Sequence, residues 1–194
     1  MSGRDLETIQ AEVDDYGVNH WLANNVRLNL FTKPWHKPRL AAVLDNMAGD
    51  EILDIACATG ELTNEIRKRA NPKRIVGLEG CLAVVEEARR LYPEVTFEHG
   101  LVQSMTYADK SFDAIHAGEI IEHIDDPFAF ALRLARITRD TAVVTTPTEV
   151  VNDPGHVAIF TERGLKRVLE HGFRDVRIID AGRTFVGVCH GPKF

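Results

Sequence analysis

Cysteine is scarce in this chain. The 194 residues hold three, Cys57, Cys81 and Cys189, an odd number with no C-x-x-C spacing. That excludes a disulfide framework and a cysteine-built zinc site, and leaves free thiols suited to a reducing compartment, so a cytoplasmic location is expected. Positive charge is also short, with 23 Lys and Arg against 29 Asp and Glu and a net charge of −6. A nucleic-acid partner would therefore need a local basic patch, and the visible ones are Lys33, Lys37 and Arg39, and Arg163, Lys166 and Arg167. No apolar run approaches membrane-spanning length, and Met1–Gln10 lacks the basic-then-apolar layout of a leader, so no membrane insertion is expected. Repeats and low-complexity linkers are absent. What remains, with 44% apolar residues, is enough for one α/β domain with a substantial core.

The periodicities alternate. Residues 5–30 carry apolar positions three or four apart (Leu6, Ile9, Val13, Tyr16, Trp21, Leu22, Val26, Leu28), which predicts one or two amphipathic helices ahead of the main domain. Thr32–Pro38 reads as a turn and Arg39–Met47 as a helix. Strands are predicted at 51–55, 74–78, 95–98, 112–117 and 141–146, separated by helices at 61–70 and 81–91 and by one that starts at Asp125-Asp126-Pro127 and runs to about Thr138. A helix at 162–170 closes on Gly172, and two strands at 176–180 and 183–190 flank the turn Ala181-Gly182. Residues 1–38 are thus expected to form a helical cap and 39–194 the main domain.

The most informative stretch is Glu51-Ile-Leu-Asp-Ile-Ala-Cys-Ala-Thr-Gly-Glu-Leu-Thr63, an apolar strand ending in Asp54 that breaks at small residues into a helix. Ala56, Ala58 and Gly60 allow a ligand close to the backbone, and the helix start offers unpaired N–H groups. The glycines are too few and wrongly spaced for G-x-G-x-x-G. The segment resembles the D-x-G-x-G-x-G motif of class I S-adenosylmethionine (SAM)-dependent methyltransferases, with Asp54, Ala56, Ala58 and Gly60 at its four fixed positions and alanine at two glycine sites, implying a slightly tighter loop. Glu79, ending the second strand, matches the acidic residue that binds both ribose hydroxyls in that family. The order of elements is also that of the family, which implies a Rossmann-like α/β fold with a mostly parallel seven-stranded sheet, one antiparallel strand and helices on both faces.

The resemblance extends to the cofactor loops at 55–61, 79–81, 100–104 and 117–123, which bring in Cys57, Gly80, Val102, Gln103 and Ala117. The family's adenine-binding Asp is missing from Gly100-Leu-Val-Gln103, so backbone near Val102 or the Gln103 amide is expected to take its place. Arg39 matches an arginine that related quinone-biosynthesis enzymes use for the SAM carboxylate. The connection Pro147–Phe160 is short where many relatives insert a lid. The site is therefore expected to be covered by the N-terminal helices, and either to admit a bulky acceptor or to be completed by a second copy or a partner subunit.

Methyl transfer from a sulfonium needs alignment above all, and a hydroxyl acceptor also needs its proton removed by a base or a metal. Glu119-Ile-Ile-Glu-His123 places two carboxylates and an imidazole at i, i+3 and i+4, sharing a face if helical, with His156 across the fifth-strand loop. His123 is the expected base, assisted by His156. Glu119, Glu122, His123 and His156 together form a candidate site for Mg²⁺, Mn²⁺ or Zn²⁺. The set resembles both metal-dependent small-RNA 2′-O-methyltransferases and the O-methyltransferases of ubiquinone biosynthesis. The resemblance therefore implies methyl transfer to a hydroxyl on a small or medium-sized molecule. The rival readings are a metal-dependent nucleic-acid 2′-O-methyltransferase and a non-catalytic SAM-binding subunit. The remaining histidines, His20, His36, His99, His116, His171 and His190, are expected at the surface or as satisfied core residues.

Overall fold

The computed structural model describes residues 4–23, 32–149 and 155–194. The amphipathic pattern continued through Val26 and Leu28, and the residues Asp153-Pro154 before His156, lie outside them. The chain runs through α1 (Leu6–Tyr16), a π-helical turn (Gly17–Leu22), a 3₁₀ turn (Pro34–His36), α2 (Lys37–Leu44), β1 (Glu51–Ile55), α3 (Glu61–Ala70), β2 (Arg74–Glu79), α4 (Leu82–Leu91) and β3 (Thr96–His99). It continues through β4 (Phe112–Gly118), a 3₁₀ turn (Ile121–His123), α5 (Pro127–Ile137), β5 (Thr138–Pro147), α6 (Glu162–Leu169), β6 (Phe173–Asp180) and β7 (Thr184–Pro192). Among the described residues no helix is long and apolar enough to cross a membrane.

The seven strands form one sheet in the order β3-β2-β1-β4-β5-β7-β6, parallel throughout except for β7, which runs against both β5 and β6. Strand parity divides the core. Leu53, Ile55, Val76, Ile115 and Val144 face α5 and α6, where Phe130, Leu134, Leu165 and Leu169 are buried. Ile52, Ile75, Ala114 and Val143 face α2, α3 and α4 through Leu40, Val43, Leu62, Ile66 and Val85. Both faces are covered, which explains why these strands read as continuous apolar runs. The order reverses between β1 and β4, and the crevice beyond their carboxyl ends is where an open α/β sheet receives a ligand.

Three local departures from the sequence reading matter for function. Glu119–His123 is not a helix: Glu119 takes a left-handed conformation (φ 51°) straight after β4, and only Ile121–His123 forms a 3₁₀ turn. The i, i+3, i+4 argument therefore does not hold, because Glu119 N donates to Thr145 O of β5 at 3.0 Å rather than entering a helix. The loop after β1 is not simply tighter. Ala56 (φ 57°) and Ala58 (φ 48°) keep the left-handed backbone that glycine would adopt without strain, a conformation costing about 1–2 kcal/mol per alanine. Finally, α2 starts at Lys37, with Pro38 in its first turn, and β5 starts at Thr138, where α5 ends.

The segment before α2 is fastened to the carboxyl edge of the sheet. Asp5 caps α1 by accepting from Thr8 N at 2.8 Å. Arg4 Nη2 donates to His123 O at 2.9 Å and to Asp125 Oδ1 at 3.1 Å, and Gln10 Nε2 donates to Gly80 O at 2.8 Å. Gly17 lies so close to Cys81 that a Cβ there would sit 2.5 Å from its Sγ.

Candidate functional site

The crevice is built around two buried carboxylates. Glu79, ending β2, accepts from Ala58 N through Oε2 (3.1 Å) and from Cys81 N through Oε1 (3.0 Å), which joins the β1 and β2 loops. Burial pushes its carboxyl upward, against the lowering effect of those N–H groups. Asp54 is 1% exposed. Its Oδ2 accepts from Thr63 Oγ1 at 2.6 Å, and its Oδ1 meets His116 Nδ1 at 2.7 Å. Parallel register sets Asp54 directly opposite His116 on β4.

His116 and Thr63 are the functional candidates that sequence reasoning missed. His116 is 4% exposed, and its Nε2 has no hydrogen-bond partner among the described residues. Its ring lies along Gly118, where an added Cβ would stand 2.4 Å from Cε1. The available signal was parity: His116 is two residues from Ala114 in a parallel strand, hence on the same face, but only the β1–β4 register shows which residue it meets.

The other expected cofactor residues distribute around this pair. Ala56, Cys57, Ala58 and Gly60 form the turn between β1 and α3, with Cys57 N donating to Leu78 O at 3.1 Å. Burial holds the Cys57 thiol well above its ordinary range, so it is packing rather than a nucleophile. Gly80 offers its carbonyl to Gln10 and to His99 Nε2 at 2.9 Å. Val102 is buried, and the carbonyls of Val102 (2.8 Å) and Gln103 both accept from Arg133 Nη1. Gln103 Oε1 is left buried with no partner among the described residues. Ala117 is core beneath the end of β4.

The second cluster stands beside the end of β4. Glu122, His123 and His156 bring one ligand atom each within 4.8 Å of one another. His123 Nδ1 meets Gly155 O at 3.0 Å, which assigns the proton to Nδ1, and the two imidazoles are edge-to-face at 4.6 Å. Glu122 O accepts from Val157 N and Ala158 N (2.9 and 3.1 Å), tying the segment after Gly155 to the 3₁₀ turn. The Glu122 side chain is 1% exposed, and neither carboxylate oxygen has a partner in good hydrogen-bond geometry among the described residues, with Thr146 the neighbouring donor. Burial first, and the charge of Glu119 second, push this carboxyl up to about 8.

Glu119 stands apart from that trio. Its Oε1 is 3.3 Å from Arg39 Nη1, so the arginine that resemblance assigned to the SAM carboxylate is here the partner of an acid assigned to a metal. Over the cluster lies Tyr16, stacked on His20 at 4.6 Å and 6.5 Å from His123.

Known proteins resemble this chain in sequence and fold. Residues 53–145, which span the crevice from β1 to β5, match the methyltransferase domain family model. The chain is similar to the ubiquinone/menaquinone biosynthesis C-methyltransferase of Bdellovibrio bacteriovorus, 29% identical over 137 residues, covering 69% of this chain and 58% of that protein. It is similar also to the 27-O-demethylrifamycin SV methyltransferase of Amycolatopsis mediterranei, 34% identical over 107 residues, covering 52% and 39%. The matched stretch thus spans about half the length of these curated relatives. Among solved structures, DhpI in complex with SAH superposes with a TM-score of 0.75 over 96% of this chain and 97% of that one, at 18% identity. Fold and sequence together support a class I SAM-dependent methyltransferase.

Proposed function

We propose that this chain moves the methyl group of SAM to a hydroxyl oxygen of a small or medium-sized molecule, with His123 as base and His156 assisting. The observation that carries the reading is the cluster of Glu122, His123 and His156 at the carboxyl edge beside the cofactor crevice.

The cofactor is read across the switch point. Each Glu79 oxygen accepts one backbone N–H and retains capacity for a ribose hydroxyl, which suits a diol. The buried, unpartnered Gln103 Oε1 is suited to accept from the adenine amino group. With ribose at β2 and adenine near β3, the methionyl tail extends over the Ala56–Gly60 turn towards β4. His116 Nε2, bare because Nδ1 faces Asp54, is there to accept from its ammonium group.

In the transfer, the acceptor oxygen attacks the methyl carbon in line with the C–S bond, which breaks to leave a neutral thioether. The hydroxyl proton passes to His123 Nε2, and the resulting imidazolium is steadied by Nδ1–H donating to Gly155 O. The cap formed by α1 and Tyr16 limits water at this step. As an alternative to His123 acting as base, since Nε2 cannot both ligate and take a proton, Glu122, His123 and His156 fit a divalent ion. A buried carboxylate suits a cation, and Gly155 O orients one imidazole. When bound, such an ion would supply Lewis-acid polarisation of the acceptor hydroxyl.

The test is incubation with methyl-labelled SAM and a cell extract, with and without chelator. Label is expected in small-molecule fractions, with chelator sensitivity assigning the ion. His123→Ala is expected to retain SAM affinity and lose turnover by about 10²-fold or more. Undiminished turnover in that variant would sink the role of His123.

A further inference from the structure

A cationic, aromatic surface stands at the same edge of the sheet, in a chain of net charge −6. Lys33 Nζ lies 5.6 Å and Arg183 Cζ 5.5 Å from the centroid of the Trp35 ring, which is 45% exposed. The two cations come from distant parts of the chain. Lys33 precedes the 3₁₀ turn ahead of α2, and Arg183 precedes β7.

Topology explains the meeting. Because β7 runs antiparallel, its first residue Thr184 pairs with Pro147, the last residue of β5, which brings Arg183 to the carboxyl edge where the crevice opens. Thr148 holds it there by donating through N to Arg183 O and through Oγ1 to Gly182 O, both at 3.1 Å. Among the described residues no carboxylate ion-pairs with Lys33 or Arg183. Stacking on Trp35 orders their stems and leaves N–H donors unspent among the described residues.

A chain of neighbouring charged groups leads from this surface towards the reaction centre. His36 follows Trp35, and its imidazole is pushed below its ordinary range first by burial and then by the charges of Arg39 and Arg183, so the local field is positive. Arg39 leads in turn to Glu119, and Glu119 to Glu122. An acceptor reaching from Trp35 to His123 would therefore cross a path whose outer end attracts anions.

We infer that Lys33, Trp35 and Arg183 form the outer part of the acceptor site and bind an oxyanion, a carboxylate, phosphate or sulfate, carried by the molecule that is methylated. The inference rests on the methyltransferase reading above and narrows its acceptor to an anionic one. A small molecule suits the surface better than a nucleic acid, because two cations on one ring, neither ion-paired among the described residues, match a single anionic group and not a run of phosphates.

The test uses binding rather than turnover, in protein saturated with SAH. 1-Naphthyl phosphate and uncharged 1-naphthol are compared by equilibrium dialysis at low salt and at about 0.2 M salt. The phosphate is expected to bind about tenfold more tightly than the naphthol, with the difference shrinking in salt. In Lys33→Ala/Arg183→Ala that preference should vanish, and Trp35→Leu should lose part of it, while SAH affinity by calorimetry stays unchanged in both. Equal binding of the two probes, a preference that survives in the double variant, or absence of phosphate binding in SAH-competent protein would each overturn the inference. Tighter binding of a short oligouridylate, rising with its length, would reassign the surface to nucleic acid and overturn it too. Failure of the parent protein to bind SAH would instead strike the cofactor reading.

Discussion

Asp54 Oδ1 and His116 Nδ1 are 2.7 Å apart on adjacent parallel strands, and both residues are buried. Because the pair uses Nδ1, Nε2 remains directed away from Asp54 with no partner among the described residues. Replacing His116 by Leu leaves Asp54 Oδ1 short of a donor, which is expected to destabilise the fold by about 1–3 kcal/mol. The functional effect is separable from that loss. SAH should bind about tenfold more weakly to His116→Leu, while 5′-methylthioadenosine, which lacks the amino-acid tail, should bind as it does to the parent protein. Equal losses for both ligands by calorimetry would show a structural role only.

The frame of the site was legible because it is local. The β1 apolar run and the small residues after Asp54 lie within a few residues of one another, the acid Glu79 ends the very next strand, and strand β1 and helix α3 have the bounds their patterns predicted. What was not legible depends on register. His116 meets Asp54 across 62 positions of sequence. Arg39 meets Glu119 because α2 ends up against the carboxyl end of β4, and no periodicity reports that. The helical reading of Glu119–His123 failed for a related reason. Spacing three and four apart suits a helix, but here β5 takes the Glu119 N–H and turns the chain.

The two alanines at left-handed positions make a simple prediction. Ala56→Gly and Ala58→Gly relieve steric strain at φ 57° and 48°. Glycine also adds entropy to the unfolded chain, so the net gain is smaller than the strain, about 0.5–1 kcal/mol each. Thermal melts of the single variants should show Tm rising by a few degrees with SAH binding retained. A fall in Tm would mean that packing of the alanine methyl groups outweighs the strain.

Glu79 should tolerate no amide. In Glu79→Gln one of the two backbone donors, Ala58 N–H or Cys81 N–H, faces an NH₂ group instead of an acceptor. A buried donor left unsatisfied costs about 1–3 kcal/mol, and the ribose loses a charge-assisted partner as well. SAH affinity is expected to fall by about 10²-fold, and Glu79→Asp to fall less. Calorimetric titration of the three proteins decides this.

Glu122 links the reaction centre to stability. Its carboxyl lies at about 8 in the folded chain against an ordinary 4.5, so between those values the folded protein holds a proton that the unfolded chain has released. Folding is thus favoured by this group in full below the unfolded value, and the contribution is lost as pH rises through the folded one. Glu122→Gln keeps the shape and removes the titration. With chelator present, its Tm should match the parent near pH 5 and exceed it near pH 9, while any metal-dependent rise in Tm seen in the parent should be absent. If parent and variant Tm fall in parallel from pH 5 to 9, the buried carboxyl is already compensated, and Glu122 has no need of a cation.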